Sequence, residues 1–489
     1  MKRATPISIP WQPEKDSAVP VYRQIVQYVC GKVARGEWPV GTRLPSQRAL
    51  AEAFGVNRST VTTALEELTS YGVVAGRHGA GTQVVSNTWS LLLPQRPDWG
   101  KFLSAGFFRE NHPAVQTINH LEFVPGITRL GTGELDPRLF PAELWQASAK
   151  KAVGEIQSLG YLEPLGLREL REALSAHLAD QGISAPPSCI LITSGALQGL
   201  QLISACLLPR GATVFTEAPT YLKSLQVFQS AGMKLSGTPM DGEGLQYWKL
   251  APALGEARRQ RSSILYTIPT NQNPTGITMG ERRREDLMKF CVDHRLPVIE
   301  DGAYQELCWE GPDPTPLKAL DQTGSVLYLG SASKTLAPGL RVGWIVAPEP
   351  IVQRLGDVKM QMDYGASSVS QWILAEFLTS GRYRQYLSAL KETLKKRRDH
   401  ALAVLEQACG DLAKWNRPTG GFYIWLTFQR EISMEKLFVR AGKEGILLNP
   451  GDLYDFAENR SLRLSYAYTS CEEFAAGVGK LMGIVREVV

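Results

Sequence analysis

Apolar residues follow two different rhythms along this chain. Early on they recur at helical spacing. In VYRQIVQYVCGKVARGEW, residues Tyr22, Ile25, Val26, Val29 and Val33 share one face, the repeat of an amphipathic helix. Gly36 ends that helix, and PVGTRLPS is a loop with turn chemistry. Ser46 is placed to cap a short helix, QRALAEAF, in which Leu50 and Phe54 lie one turn apart. Gly55 turns the chain. Asn57 is placed to cap RSTVTTALEELTSYG, with Val61, Ala64, Leu65 and Leu68 as its buried stripe. VVAGRHGAGTQVV then reads as two short strands around a Gly-rich tip.

After about residue 126 the rhythm changes. Short apolar runs alternate with helical stretches: CILITSG, TVFTEAP, SILYTIP, LPVIEDG, VLYLGS and VGWIVAP. That alternation predicts an α/β domain with a mostly parallel central sheet. Near the end, GGFYIWL and SLRLSYAY read as strands of a smaller C-terminal α+β subdomain. The expected layout is a leader at 1–19, a helical head at 20–85, a linker at 86–125 and a large domain at 126–489. The linker mixes prolines and polar residues with Trp89, Trp99, Phe107 and Phe108. Its aromatic content points to docking on a surface rather than a free tether.

Composition narrows the class. A chain of 489 residues predicts roughly two to three domains, and 44% hydrophobic residues allow a large core. No apolar run is long enough to span a bilayer, and MKRATPISIPWQPEK has no apolar h-region, so a cytoplasmic protein without membrane contact is expected. The seven cysteines are scattered with no CxxC, which predicts reduced thiols. The six histidines show no metal-ligand spacing, so no metal site is expected. Charge is uneven. Residues 1–85 carry a net of +4, against +1 for all the rest, which places the nucleic-acid-binding tendency in the head.

Two short helices joined by a Gly turn, the second polar at its start, form the helix-turn-helix arrangement. Arg58, Ser59, Thr62 and Thr63 would then face a major groove. Arg77 and His78, on the hairpin tip, suit a wing touching phosphate or the minor groove. On VPVYRQI, GTRLPSQRALAEAFGVNRSTVTTALEELTSYGVV and the GAGT of the wing, the segment resembles the GntR-type winged helix. The resemblance implies Arg43 and Arg48 as further DNA contacts.

The strand ends of the large domain carry the remaining chemistry. Small residues Gly195 and Ala196 open a helix and leave N–H groups for an anion. Tyr221 offers a face for stacking a flat ring. Asn273, in NPTG, is an amide held in a turn. Asp301 and Tyr304 supply a carboxylate and a phenol. Lys334 stands among small residues after VLYLGS, where a desolvated amine forms Schiff bases. Ser331 and Arg341 flank it, and arginine's fork matches phosphate oxygens. Arg463 sits inside an alternating strand, where a charge needs a partner such as a carboxylate. The set suits a phosphorylated pyridine aldehyde, with a carboxylate keeping the ring nitrogen protonated.

On GTGELDPRLFP, YLEPLGLRELREAL, SGALQGL, EAPTY, NQNPTG, EDGAY, SASKTLAPGLRVG and LRLSYAY, residues 130–489 resemble the fold-type I aminotransferases of pyridoxal 5'-phosphate. The resemblance implies Lys334 as the cofactor-carrying amine and Asp301 as partner of the pyridine nitrogen. It implies Asn273 and Tyr304 on the ring hydroxyl, Tyr221 stacking, and Gly195, Ala196, Ser331 and Arg341 on the phosphate. Tyr161 would reach the phosphate of a neighbouring subunit, and Arg463 would bind a substrate carboxylate. GELDP departs from the usual G-x-P-D of the substrate-side loop.

The two modules together resemble the MocR subfamily of GntR-type bacterial regulators. That layout implies a head-to-tail homodimer, operator DNA as partner, and pyridoxal 5'-phosphate, alone or with a small amino compound, as signal. The alternative is a working aminotransferase with an accessory DNA-binding domain, since Lys334, Asp301 and Arg463 are all present.

Overall fold

A computed structural model describes residues 7, 9–14, 16–77, 81–87, 105–106, 111–260 and 262–488. The chain divides into two compact units, 1–107 and 108–489.

In the first unit, helices α1 (Val21–Ala34), α2 (Gln47–Phe54) and α3 (Arg58–Ser70) precede an antiparallel hairpin, β1 (Val74–Arg77) and β2 (Gly81–Val84). The apolar stripes meet as expected: Ile25, Val29, Leu50, Phe54, Val61 and Leu68 are all buried in one cluster. Ser46 caps α2 by accepting from Ala49 N–H at 3.3 Å, and Gly55 closes it in the left-handed region at φ 64°. Asn57 holds the N-cap position of α3, but its side chain makes no capping bond, which corrects the sequence expectation. Trp11, in the described part of the leader, packs on the helical head. Trp11 stacks on Tyr28 at 4.5 Å and meets Phe54 edge-on, so aromatic packing draws it onto the helical core.

The span expected as a linker also holds built structure. Residues Pro113–Leu121 form a helix with proline at its start and a His112 ring nitrogen accepting from Ala114 N–H. Val115 and Ile118 bury one face. A nine-residue helix with only two buried apolar positions leaves little periodic signal. Trp89, Trp99, Phe107 and Phe108 lie outside the described residues.

The second unit is built on a sheet of eight strands: β4 (Ile190–Thr193), β5 (Thr213–Ala218), β6 (Lys234–Asp241), β7 (Gly244–Leu245), β8 (Ser263–Thr267), β9 (Val298–Asp301), β10 (Val326–Ser331) and β11 (Gly343–Val346), after a short β3 (Thr128–Arg129). Their order is β4-β11-β10-β9-β8-β5-β6-β7. The run β10, β9, β8, β5, β6 is parallel, while β11 runs antiparallel to both its neighbours. Two reversals restore β4 to the common direction, so β4, β5, β8, β9 and β10 end on the same edge. That edge is where ligands meet open α/β sheets. The smaller subdomain adds β12 (Ala413–Trp415), β13 (Tyr423–Phe428) and β15 (Ser461–Ser465) in one antiparallel sheet, while β14 (Ile446–Leu447) pairs with β3. One apolar cluster runs from Leu130 to Val485 through both subdomains.

Candidate functional site

In the head, Arg43, Arg48, Arg58, Ser59 and Thr63 are exposed, and Thr62 is half-buried. Arg48 and Arg58 line one hollow with Ser46, Gln47, Gly81 and Thr82. The start of α2, the start of α3 and the wing therefore share a face. Arg43, Arg48 and Arg58 form no ion pair with any described residue, so their charges stay open to a polyanion. Thr62 and Thr63 donate back to the carbonyls of Arg58 and Ser59, each at 3.1 Å, which leaves their oxygens as acceptors. Arg77 ends β1 opposite Gly81. His78 lies outside the described residues.

In the large unit, the strand ends converge. Gly195 leads into the helix Ala196–Leu207 at φ 86°. A Cβ there would lie 2.6 Å from Arg341 Nη2. Arg341 itself stands in the left-handed region and donates from Nη2 to Ser194 O at 2.8 Å. Ser331 is paired with Gly343, whose missing side chain lets the Gly195–Ala196 backbone approach. Gly195, Ala196, Ser331 and Arg341 thus gather at one helix N-terminus, a ready anion site.

Lys334 lies one turn beyond the end of β10, on the short helix Ala332–Thr335, and Nζ donates to Gly133 O at 2.5 Å. Asp301 ends the neighbouring β9. Its Oδ2 accepts from Tyr266 OH at 2.7 Å and its Oδ1 from Ala303 N–H at 3.1 Å. Burial pushes the Asp301 carboxyl up, and those two donors with the Lys334 charge only partly offset it.

Tyr304 OH lies 2.6 Å from Tyr423 OH. Asn273 Oδ1 accepts from Arg463 Nη1 at 2.9 Å, and Arg463 Nη2 donates to Gly131 O at 2.6 Å. The Arg463 guanidinium is sandwiched between the rings of Tyr423 and Tyr454, at 4.4 Å and 4.7 Å. It is 4% exposed, and its Nε has no partner. No carboxylate among the described residues forms an ion pair with it. Tyr221 precedes the helix Leu222–Ser230 and stacks on Tyr454 at 6.4 Å. Burial pushes its phenol up to about 12.

Tyr161 stands apart. It is 85% exposed, with its ring 5.3 Å from that of Tyr364.

The profile of aminotransferase class I and II matches residues 125–481, and that of bacterial regulatory proteins of the gntR family matches residues 21–84. An uncharacterized HTH-type transcriptional regulator, YisV of Bacillus subtilis (strain 168), is 48% identical over 96% of this chain and 96% of its own. This chain belongs to the MocR subfamily of GntR-type transcriptional regulators. The HTH-type transcriptional regulator NorG of Staphylococcus aureus (strain USA300) is 31% identical over 91% of the regulator and 100% of its own length. Among solved structures, the Pyrococcus horikoshii kynurenine aminotransferase, crystallised with PMP, shares 32% identity over 78% of the regulator and 95% of its own chain, with a TM-score of 0.72. A GntR-type head implies DNA binding, and the aminotransferase fold is that of a pyridoxal-phosphate-dependent family.

Sequence reasoning missed several participants in the regulator's site. Gly131 and Gly133 act through backbone carbonyls, which carry no residue-type signal. A Cβ at Gly133 would lie 2.6 Å from Tyr423 OH, so the GTG repeat was the available clue. Tyr423 lies in the run GGFYIWL, expected as a strand, and Tyr454 was not singled out; only the fold turns the two rings toward Arg463. The unusual GELDP is anchored by Asp136, buried and bonded to Arg138 and Arg397 at 2.8 Å and 2.7 Å. All seven cysteines are free. Among the described residues, no helix is long and apolar enough to cross a membrane, and no His/Cys/Asp/Glu group could hold a metal.

Proposed function

We propose that the regulator binds operator DNA under the control of pyridoxal 5'-phosphate and a small amino compound held in its large domain. The observation that carries this reading is Arg463: a caged, buried guanidinium on β15 with no carboxylate partner among the described residues, bonded to Asn273 and to the Gly131 carbonyl beside the strand ends that carry Lys334 and Asp301. A buried charge of that kind needs an anionic partner.

The donor set fits the cofactor. Gly195, Ala196, Ser331 and Arg341 would hold its phosphate. Asp301 would hold the proton of the pyridine nitrogen, Asn273 and Tyr304 would bind the ring hydroxyl, and Tyr221 would cover the ring. Lys334 Nζ would carry the cofactor and later move a proton. Arg463 would bind the carboxylate of the amino compound. When bound, pyridoxal 5'-phosphate supplies an aldehyde that captures amines and a ring that withdraws electrons.

Tyr161 would reach the phosphate of a partner copy in a head-to-tail homodimer, which its exposure beside Tyr364 supports. In the head, Arg58, Ser59, Thr62 and Thr63 would read the major groove. Arg43, Arg48, Arg77 and His78 would contact phosphate or the minor groove. We place the head at 20–85 and the effector domain at 126–489.

Ligand binding would shift the spacing of the two heads on a two-part operator, for which a coupling of ~1–3 kcal/mol suffices. Lys334→Ala tests this in an operator-binding titration with and without cofactor and amines. The variant is expected to keep basal DNA binding and lose the ligand response; a normal response would sink the signalling reading. A second reading, a working aminotransferase, is favoured by Lys334, Asp301 and Arg463 standing together. Turnover of an amino donor at ~1–1000 per second would move the assignment to it.

A further inference from the structure

Tyr266 has no role in the site as described so far. It sits on β8, fully buried, with its hydroxyl 2.7 Å from Asp301 Oδ2. Among the described residues it is the one side chain that donates to Asp301; the other donor is the Ala303 backbone. Its strand is paired to β9 with Tyr266 opposite Ile299, two residues before Asp301. The phenol is therefore held by the sheet rather than by a mobile loop. The Ser224 hydroxyl reaches both this phenol oxygen and Tyr221 O, the latter at 3.2 Å, and its one proton serves one of them at a time. A chain of contacts thus joins Asp301, Tyr266, Ser224 and the Tyr221 segment.

We propose that Tyr266 is a positioning residue that keeps Asp301 ionised and fixed in orientation toward a pyridine nitrogen. This rests on the reading of Asp301 given above. The physical argument is short. A carboxylate buried in a low-dielectric site drifts toward its neutral acid. A neutral Asp301 could not hold a protonated ring nitrogen. A phenol donating to one oxygen stabilises the charged form. Burial also pushes the Tyr266 phenol well above its usual range, so it stays protonated and can only donate toward the carboxylate. Tyr266 thereby sets how far the pH can fall before the site loses its charge.

The test uses full-length protein freed of cofactor and titrated with pyridoxal 5'-phosphate, read by quenching of tryptophan fluorescence between about pH 5 and 8, around the reference titration range of these groups. Three proteins are compared: wild type, Tyr266→Phe and Asp301→Asn. The phosphate group's own titration is common to all three and cancels in the comparison. Tyr266→Phe removes one oxygen and keeps the ring. It is expected to bind roughly tenfold more weakly near neutrality, the factor for one lost hydrogen bond to a charged group. Its acid-side loss of affinity should begin about one pH unit higher than in wild type. Asp301→Asn should bind weakly with no such acid limb.

The failures are separable. An acid limb unmoved in Tyr266→Phe, with Asp301→Asn still impaired, overturns the role of Tyr266 alone. Asp301→Asn binding like wild type overturns the reading of Asp301 and the Tyr266 proposal with it. Should Tyr266→Phe fail to fold, judged by its melting curve, Ser224→Ala takes its place. Ser224→Ala removes the hydroxyl whose proton can polarise the phenol, so a smaller upward shift is expected, and an unmoved limb overturns the proposal.

Discussion

Arg463 and Gly195 act through opposite properties of a side chain. Arg463 contributes a charge that the fold cages between two tyrosine rings; Gly195 contributes the absence of a Cβ. Gly195→Ala would place a Cβ 2.6 Å from Arg341 Nη2 at a backbone φ of 86°. We expect a loss of about 1–3 kcal/mol in the melting of the large unit and weaker cofactor binding in titration. A second residue-scale prediction concerns His177, whose Nε2 lies 2.9 Å from Glu306 Oε1. Burial alone would push this imidazole down, but the Glu306 charge, its hydrogen bond and the nearby Asp180 together outweigh that and hold it above the usual histidine range. Burial pushes Glu306 up, and His177 with Tyr383 more than reverses that. The histidine's contribution is present below about pH 6.5 and is lost as pH rises through its raised folded value. The carboxylate's contribution is present above about pH 4.3 and is lost as pH falls through its lowered folded value. Denaturant melts should therefore show wild type most favoured over His177→Gln between those limits, by on the order of 1 kcal/mol. A constant difference across pH would refute the pairing.

Among the elements, α3 carries the DNA-facing prediction. Arg58 is exposed at its first turn and shares a hollow with the wing. Arg58→Ala should weaken operator binding by about 1–3 kcal/mol if it reads a base. If it touches phosphate, the loss should be uniform across sequences and the salt slope should fall by about 1. Binding isotherms at several salt concentrations distinguish the two, and no change in either removes Arg58 from the interface. Periodicity made most elements legible. The six apolar runs named from the sequence became β4, β5, β8, β9, β10 and β11. β6 was not legible, because its residues, KLSGTPMD, are mostly half-buried or exposed and lack alternation. The helix Pro113–Leu121 was missed for a related reason: two buried positions give too little periodicity.

In the whole molecule, the head and the large unit have separate apolar cores. Leu68 is fully buried in the head. Leu68→Ala should cost about 2–5 kcal/mol there and leave the unfolding of the large unit unchanged in calorimetry. Pyridoxal 5'-phosphate should act in the opposite way. At a hundredfold excess over its dissociation constant it should stabilise the large unit by about 2.7 kcal/mol and leave the head's transition in place. A single transition that moves with both perturbations would show that the two cores unfold together.

The order of residue types along the chain already determined the two modules and the chemistry at the strand ends, because periodicity and turn chemistry are local properties. It also specified Lys334, Asp301, Asn273, Tyr221, Tyr304 and Arg463 as separate candidates. Tertiary structure decided which of them meet. Two strand reversals bring β4 back beside the others, so Gly195 and Lys334 share an edge. Which side chains the Gly131 and Gly133 carbonyls meet, the cage of Tyr423 and Tyr454, and the Tyr266 bond to Asp301 were invisible in the sequence. Each depends on residues far apart in the chain being brought within a few ångströms, and no local pattern encodes that distance.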